Sequence, residues 1–589
     1  MLKRTVCLIV MLIPLALAAV WPNPAGATFI EQLAIDTRAI SMANAVTARP
    51  PGHMSIHYNP AGLSQFEEGA WWHQGVTIPW LVKTSKFRGN EDFDGWLSMD
   101  RWDHHADPIY EGHPAYGEEG RELYTADDLY VEGTAQSGRM YIPIYDEAIN
   151  FQISPRTSLA YRGEDSRLTL ATGMYTPFAT GANHADSDDP TRFGGRRAYM
   201  QHLIYQAPSA SYELTDRLAV GLSMGFGQSA MGAEMFARSP NDLVALTREL
   251  GEATEGMAIP PWTYLYYDEP LYGGGIHPWE PVAKINVKAR NDFTPSYNLG
   301  VLYEPFDWLG FGMVYQSEIE ADMHGSFSVE YSEDFQRVVH WYGQGPWGTR
   351  RTAAMLDMPT QPTPKQSGRF TTELVFPRRM QFGVRVSPLS RLHLMFDLKW
   401  SEWSARERDE YHFDQDIQML QIAKLTGHVD GNRTLASDRY MRDTLDWAAA
   451  VEINLTDRLD FQFGYEFRES SVRDEYFDFS TPIPDLHNVG AGISYHLENG
   501  GRIDVGGAYI WHKGYEIGPE ESKNLTSTDY FNDNINMFAG QHFEQDLEIY
   551  MFSIGFVVPF ESYVDYQKGN VEKMRQRLRF LNPFTRSGE

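Results

Sequence analysis

DLEIYMFSIGFVVPF, residues 546–560, is the stretch whose reading decides the fold. Read with period two, Glu548, Tyr550, Phe552, Ile554, Phe556, Val558 and Phe560 point one way; Ile549, Met551, Ser553, Gly555 and Val557 point the other. About 9–11 residues with one apolar face and one face of small or mixed side chains suit a strand that crosses a bilayer within a barrel. The aromatic at its end belongs at the bilayer interface. Lipid offers no partner to an open sheet edge, so one such strand implies others along the rest of the chain.

Working outward, thirteen more segments alternate in the same manner: 69–82, 148–162, 166–178, 199–214, 217–231, 282–304, 308–320, 371–387, 391–404, 442–455, 458–469, 486–497 and 502–513. The turns between them alternate short and long. Leu214-Thr215-Asp216-Arg217-Leu218 recurs unchanged as Leu455-Thr456-Asp457-Arg458-Leu459, and 304–307, 387–390 and 498–501 are equally tight. Short polar hairpins belong on the periplasmic side and long loops outside. The long segments are 84–147, 179–198, 232–281, 321–370, 405–441, 470–485 and 514–545, with helical patches at 241–257 and 415–425. The expected fold is all-β: a 14-stranded antiparallel transmembrane β-barrel over 68–560, preceded by a segment, 28–67, that does not alternate.

The ends fit an exported protein. Lys3 and Arg4 precede an apolar run from Val6 to Val20, and Ala25-Gly26-Ala27 offers a cleavage site, so 1–27 reads as a signal peptide. The single cysteine, Cys7, lies inside it, which excludes a disulfide framework or thiolate site downstream. With 50 basic and 79 acidic residues the chain carries a net charge of −29, and no basic face for nucleic acid is expected. Mean hydropathy is −0.42, as for a barrel in which only alternate strand residues meet lipid. The 32 Tyr, 32 Phe and 15 Trp are enough for two interfacial girdles. After Phe560 a tail, 561–589, interleaves Val571, Met574, Leu578 and Leu581 with Lys573, Arg575, Arg577 and Arg579, a short basic amphipathic helix. It reads as a periplasmic extension or as a contact to acidic headgroups or another envelope protein.

Several motifs together resemble the FadL family of outer-membrane transporters for long-chain fatty acids and aromatic hydrocarbons (the FadL/TodX group). They are Glu31-Gln32, Arg38, Met42-Ala43-Asn44-Ala45, Tyr58-Asn59-Pro60-Ala61-Gly62-Leu63, Phe376-Pro377 leading to Gly383, Asp397 through Trp403, Pro484-Asp485 through Gly492, and the closing strand to Phe560. The resemblance spans the mature chain, and the Asn59-Pro60-Ala61 motif ahead of fourteen strands is its most specific part. It implies that 28–67 is a hatch inside the barrel and that helical loops form an outer hydrophobic groove. It also implies that the N-terminus, with Phe29, lines a second, lumenal pocket, and that a kink in the third strand opens a lateral gap. That kink would fall in 173–178: Pro177 lacks a ladder donor and Gly173 weakens the strand.

From Lys284 to Tyr303, Ile285, Val287, Ala289, Phe293, Tyr297, Leu299, Val301 and Tyr303 share one face and Lys284, Lys288 and Arg290 the other. If the apolar face meets lipid, these three cations face the lumen, either holding a ligand carboxylate or pairing with lumenal acids. The same logic turns Asp397, Asp446, Glu452, Asp460 and Asp504, with Arg385, Lys399, Arg468 and Arg502, inward. His104-His105, His53 with His57, and 186–189 lack further metal ligands, and no nucleophile motif occurs; no metal, cofactor or catalytic residue is expected. The leading reading is passive uptake of fatty acids or hydrocarbons through the outer membrane, with release into its lipid. The alternatives are a barrel enzyme, lipase- or protease-like, and a structural or adhesive barrel.

Overall fold

The computed structural model describes residues 35–89, 131–184, 189–238, 242–256, 270–344, 347–423, 431–477, 484–518, 521–522, 525 and 541–560. The signal segment 1–27, Phe29, Glu31-Gln32, His104-His105, Asp186, Asp188 and the tail 561–589 lie outside them.

Fourteen strands close the barrel, several in two pieces. They begin with β1 (Gly69–Gly89), β2 (Val131–Ser137 and Ser154–Arg162), β3 (Leu168–His184), β4 (Arg197–Gln206 and Ser209–Thr215) and β5 (Leu218–Ala237). Next are β6 (Ala283–Phe306), β7 (Leu309–Gln316 and Ile319–Tyr331), β8 (Lys365–Phe376 and Arg379–Leu389) and β9 (Leu392–Ser401 and Arg408–Phe413). The last are β10 (Thr434–Asp438 and Thr444–Thr456), β11 (Leu459–Arg468), β12 (Leu486–His496), β13 (Arg502–Ile517) and β14 (Gln541–Pro559). Neighbours pair antiparallel, and β14 closes on β1 from Trp71↔Pro559 to Gly89↔Gln541. The opening stretch behaves as its alternation required: Tyr550, Phe552 and Phe556 are exposed on the outer wall, whereas Ile549, Met551 and Ser553 are buried. The recurrent Leu-Thr-Asp-Arg-Leu segments are the β4–β5 and β10–β11 turns.

Most strands run past the sequence-predicted ends on the loop side. The segment expected as the first outer loop is partly wall: β1 continues to Gly89, and Val131–Ser137 returns beside it. β2 then leaves the wall. Residues 138–153 form a small side hairpin, Met140–Ile142 paired with Glu147–Ile149, before the strand resumes at Ser154 rather than at 148. Helices occupy Asp242–Thr254, Glu333–Gln344, Trp347–Met355 and Gln418–Ala423 in the outer loops.

A belt of irregularities crosses the wall at one height. The registers Tyr175↔Ile204, Ile204↔Gly227 and Gly227↔Thr294 place that height on β3 to β6. Just above it, β3 carries an extra residue at Thr176-Pro177 and β6 one between Asn291 and Thr294; just below it, β4 carries one at Tyr205. β7 and β8 break beside it, at 317–318 and 377–378. One extra residue flips the side on which every later side chain emerges. Below the belt the outer wall of β6 is Phe293, Tyr297, Leu299, Val301 and Tyr303, a lipid-facing set about one bilayer core tall. Above it the outer wall is charged, with Glu320, Asp322 and His324 exposed on β7 and Arg369 and Glu373 on β8. On β6 to β8 the upper strands stand clear of hydrocarbon, whereas on β1 and β14 the exposed pair Trp80 and Tyr550 carries the apolar band up to the same region.

Candidate functional site

The chain enters through residues 35–66, which lie within the lower lumen. Glycines on the surrounding strands make the seat. A Cβ on Gly221 or Gly300 would collide with Asn59-Pro60-Ala61, one on Gly464 with Met42, and one on Gly490 with the Ile40 carbonyl. Asn59 explains its motif: its Oδ1 accepts from the Ala61 N–H (3.1 Å), capping the Pro60–Gln65 turn, while its Nδ2 donates to Thr47 O (2.9 Å) and, across to β6, Val301 O (3.1 Å).

Charge locks this segment to the wall. The fully buried Glu452 accepts from both Arg38 and Arg49, the latter at 2.6 Å. Asp397 accepts from the Val46 and Thr47 N–H groups, each at 2.8 Å. Glu466 accepts from Asn44 and Asn488 at 2.9 Å and pairs with Lys399 and Arg468. Asn44, at φ 62°, holds a left-handed turn and receives the Tyr58 hydroxyl at 3.0 Å. The motifs that carry the resemblance are thus largely the two halves of this interface.

Above the belt the lumen changes character. Ala289, Ile319, Met323, Phe327, Leu374 and Phe376 turn inward, joined by Phe335 and Val339 from one loop helix and Leu420 from another. Phe178 stacks on Phe376 at 4.4 Å, and Tyr331 on Phe335 at 4.5 Å. Polarity is therefore inverted across the belt, apolar outside and polar inside below, the reverse above. Beyond this apolar cluster a cleft of about 540 Å³ lies between the Asp242–Thr254 and Glu333–Gln344 helices, lined in part by Arg248, Glu252, Arg337 and His340. It is charged, unlike the hydrophobic groove that the resemblance implied.

The wall is incomplete beside the apolar cluster. On β1, 69–77 pair with the lower piece of β2 and 83–87 with the upper, which leaves 78–82 without a ladder partner on that side. On β3, 175–182 likewise face no β2 strand. The window is roughly 17 Å tall and about 10 Å wide. Trp80 stands on its outer rim, 52% exposed; Leu81, Tyr175 and Phe178 are buried inside.

Each expected site residue other than Phe29 has a place among the described residues. Gly173 is in regular ladder with Ser158, facing Ile56 of the N-terminal segment, and Pro177 is in the β3 bulge. Lys284, Lys288 and Arg290 do not face the lumen. Opposite Arg290 lies Ala230, outward on the uninterrupted β5, because the 291–294 bulge turns Ala289 in and the cations out. Lys288 and Arg290 reach Asp146 of the side hairpin at 3.2 and 2.9 Å, and Lys284 reaches Glu234 at 3.7 Å. The Tyr141 hydroxyl (2.5 Å) and Lys288 hold Asp146 below the usual carboxylate range.

The cation that sequence reasoning missed is Arg156, 1% exposed in the lumen under the window. It donates to Thr77 (2.8 Å), Ser553 (3.0 Å), Ile554 O (3.4 Å) and Thr37 Oγ1, makes no ion pair among the described residues, and leaves Nε unbonded. Its signal was an arginine on the inward parity of a lower strand opposite a glycine: a Cβ on Gly75 would stand 2.7 Å from the guanidinium.

A family model described as outer membrane protein transport protein (OMPP1/FadL/TodX) matches residues 15–538. Long-chain fatty acid transport proteins of Escherichia coli O157:H7 and of Escherichia coli strain K12 are each 24% identical over 334 residues, covering 56% of this chain and 65% of the relative. The chain thus spans just under two thirds of their length. Among solved structures, a Pseudomonas aeruginosa FadL homologue has 15% identity and a TM-score of 0.60, covering 90% of this chain and 99% of that one. The Pseudomonas putida toluene transporter TodX has 12% identity and a TM-score of 0.51, covering 89% and 97%. These structures are likenesses of fold. The family model covers most of the chain, thirteen of its fourteen strands and the segment they enclose, and the protein belongs to the outer membrane transport family OMPP1/FadL/TodX.

Proposed function

We propose that the protein is a passive conduit of the bacterial outer membrane that takes hydrophobic molecules from outside and releases them sideways into lipid. The observation that carries this reading is the order of environments: an apolar cluster in the upper lumen, a polar and charged N-terminal segment beneath it, and a gap in the wall between. An acyl chain gains about 0.8 kcal/mol for each CH2 kept from water, so side chains of the cluster that part around it hold it and the ionic seat below repels it. The window is the route that never returns the chain to water. In this reading 35–66 act as a hatch, and the Pro177 bulge keeps the β3 rim from pairing shut. No cofactor or covalent step is needed.

The substrate class is long-chain fatty acids, with Arg156 rather than Lys284, Lys288 and Arg290 taking the carboxylate when the hatch shifts off it. A guanidinium bonded only to hydroxyls and a carbonyl gains more from a carboxylate than one already in an ion pair. The test is uptake of labelled oleate and of a neutral hydrocarbon by a deletion strain carrying the gene. Arg156→Gln should lose oleate and keep the hydrocarbon, and the triple Lys284/Lys288/Arg290→Ala variant should keep both. Uptake of both compounds that does not depend on the gene would remove the transport reading itself.

A further inference from the structure

Two buried histidines at the floor of the apolar cluster have no part in the carboxylate reading above. His202, on β4, is fully buried, and its ring lies 6.4 Å from that of Phe178 and 5.9 Å from that of Phe376. Gly227 on β5 seats it: a Cβ there would stand 2.6 Å from the imidazole Cε1. His57 rises from the N-terminal segment, 5% exposed, with the Tyr175 ring edge-on at 5.2 Å. Tyr175 and Phe178 lie on either side of the β3 bulge and both are buried, so the two imidazoles flank one stretch of the window's inner rim.

Each ring has one nitrogen engaged and one bare. On His202, Nδ1 lies 2.9 Å from Ser229 Oγ and 3.3 Å from Thr294 Oγ1, while the buried Nε2 has no hydrogen-bond partner. On His57, Nε2 lies 3.3 Å from the Gln316 amide nitrogen, whose orientation is set by the 2.8 Å bond it donates to the His57 carbonyl. His57 Nε2 is therefore the acceptor, and Nδ1 carries the proton, again buried without a partner. Most buried polar atoms are paired, so two bare nitrogens at one apolar boundary point to a ligand group that pairs them.

Charge selects that group. The side chains bonded to the two rings are hydroxyls and an amide, all neutral, so a carboxylate placed here would lose its hydration without meeting a counter-charge. A hydroxyl is neutral and both donates and accepts. It can accept from His57 Nδ1–H and can serve either tautomer of His202.

We propose that the inner rim of the window binds a hydroxyl carried by an otherwise apolar ligand, with His202 Nε2 as its main partner and His57 Nδ1 as the second. The inference rests on the conduit reading and adds long-chain alcohols and hydroxylated acyl chains to the molecules selected there. Such a hydroxyl keeps its hydrogen bonds at the place where the rest of the ligand passes from aromatic rings into lipid.

The test is scintillation-proximity binding of tritiated 1-hexadecanol and tritiated hexadecane to the detergent-purified full chain. Neither compound bears a carboxylate, which keeps Arg156 out of the measurement. His202→Phe keeps a ring and removes its nitrogens; it should weaken hexadecanol about fivefold and leave hexadecane within about twofold. His57→Phe should act in the same direction, and His202→Gln should restore part of the alcohol preference. Equal weakening of both ligands by His202→Phe would mean that the ring only fills space. No weakening of either would mean that the nitrogens hold a bound water only. Each of these results overturns the hydroxyl site while leaving the conduit standing, whereas wild-type protein that binds neither compound would bring down both. Unchanged mobility of the unheated barrel on gels guards against misfolding.

Discussion

Replacing Glu452 by Gln tests the reading of the N-terminal segment as a docked hatch. Glu452 is fully buried and both of its carboxylate oxygens bind guanidinium groups of that segment, Arg38 on Oε2 and Arg49 on Oε1. Gln keeps the volume and one acceptor oxygen but leaves two cations facing a neutral amide. Removing one partner from a buried ion pair costs about 3–5 kcal/mol. At 1.4 kcal/mol per tenfold, undocking should become roughly a hundred to a few thousand times more populated. The barrel itself should not lose stability to match, because the β10 ladder around Glu452 involves only its backbone. Hydrogen exchange followed by mass spectrometry reads both quantities: peptides within 37–49 should lose protection by that factor, and β1 and β14 peptides should keep theirs. An exposed pair supplies the control, since Arg217→Ala, facing Asp307 at 3.5 Å, should alter neither. Protection of 37–49 that stays at the wild-type level in Glu452→Gln would refute the claim that charge locks the hatch.

Other consequences are open to measurement. Gly464→Val puts a branched side chain where the Met42 backbone lies, so the hatch should unseat and single channels in planar bilayers should conduct where the wild type is closed. Gly75→Ala stands 2.7 Å from the Arg156 guanidinium and should lower oleate uptake without changing hydrocarbon uptake. On the upper piece of β9, above the belt, Asp409, 5% exposed, is bound by Arg406 through two contacts of 2.8 Å and by Arg439 at 2.8 Å. Burial alone would raise its pKa, yet the two guanidiniums outweigh it and hold the group below the usual carboxylate range. Its contribution should therefore be complete above the unfolded value of about 3.9 and fade only as pH falls through the lower folded one. Limited proteolysis should show full protection of 406–413 and 434–439 from pH 7 to about 4, and Asp409→Asn should lose it at every pH.

Much of this molecule is legible in one dimension. The alternation of 546–560, the fourteen segments and the repeated tight turns establish strand count, closure and orientation, because a period-two pattern and a two-residue turn are local properties. The Asn59-Pro60-Ala61 motif marks the enclosed segment for a local reason as well, a side-chain cap on a tight turn. Arg156 was present as an arginine on an inward parity, but its lack of a direct ion pair depends on what β1, β14 and the N-terminal segment bring beside it.

What only the tertiary structure decided is which side of the wall the upper strands present. From Lys284 to Tyr303 the apolar residues keep the same parity throughout, so the sequence reads as one uninterrupted strand with a lipid face. The bulge at 291–294 turns that parity from lipid to lumen at the height where the required polarity also reverses. Two inversions cancel in the linear pattern. A bulge is defined by the pairing of two strands far apart in the chain, and nothing within 283–306 alone records it.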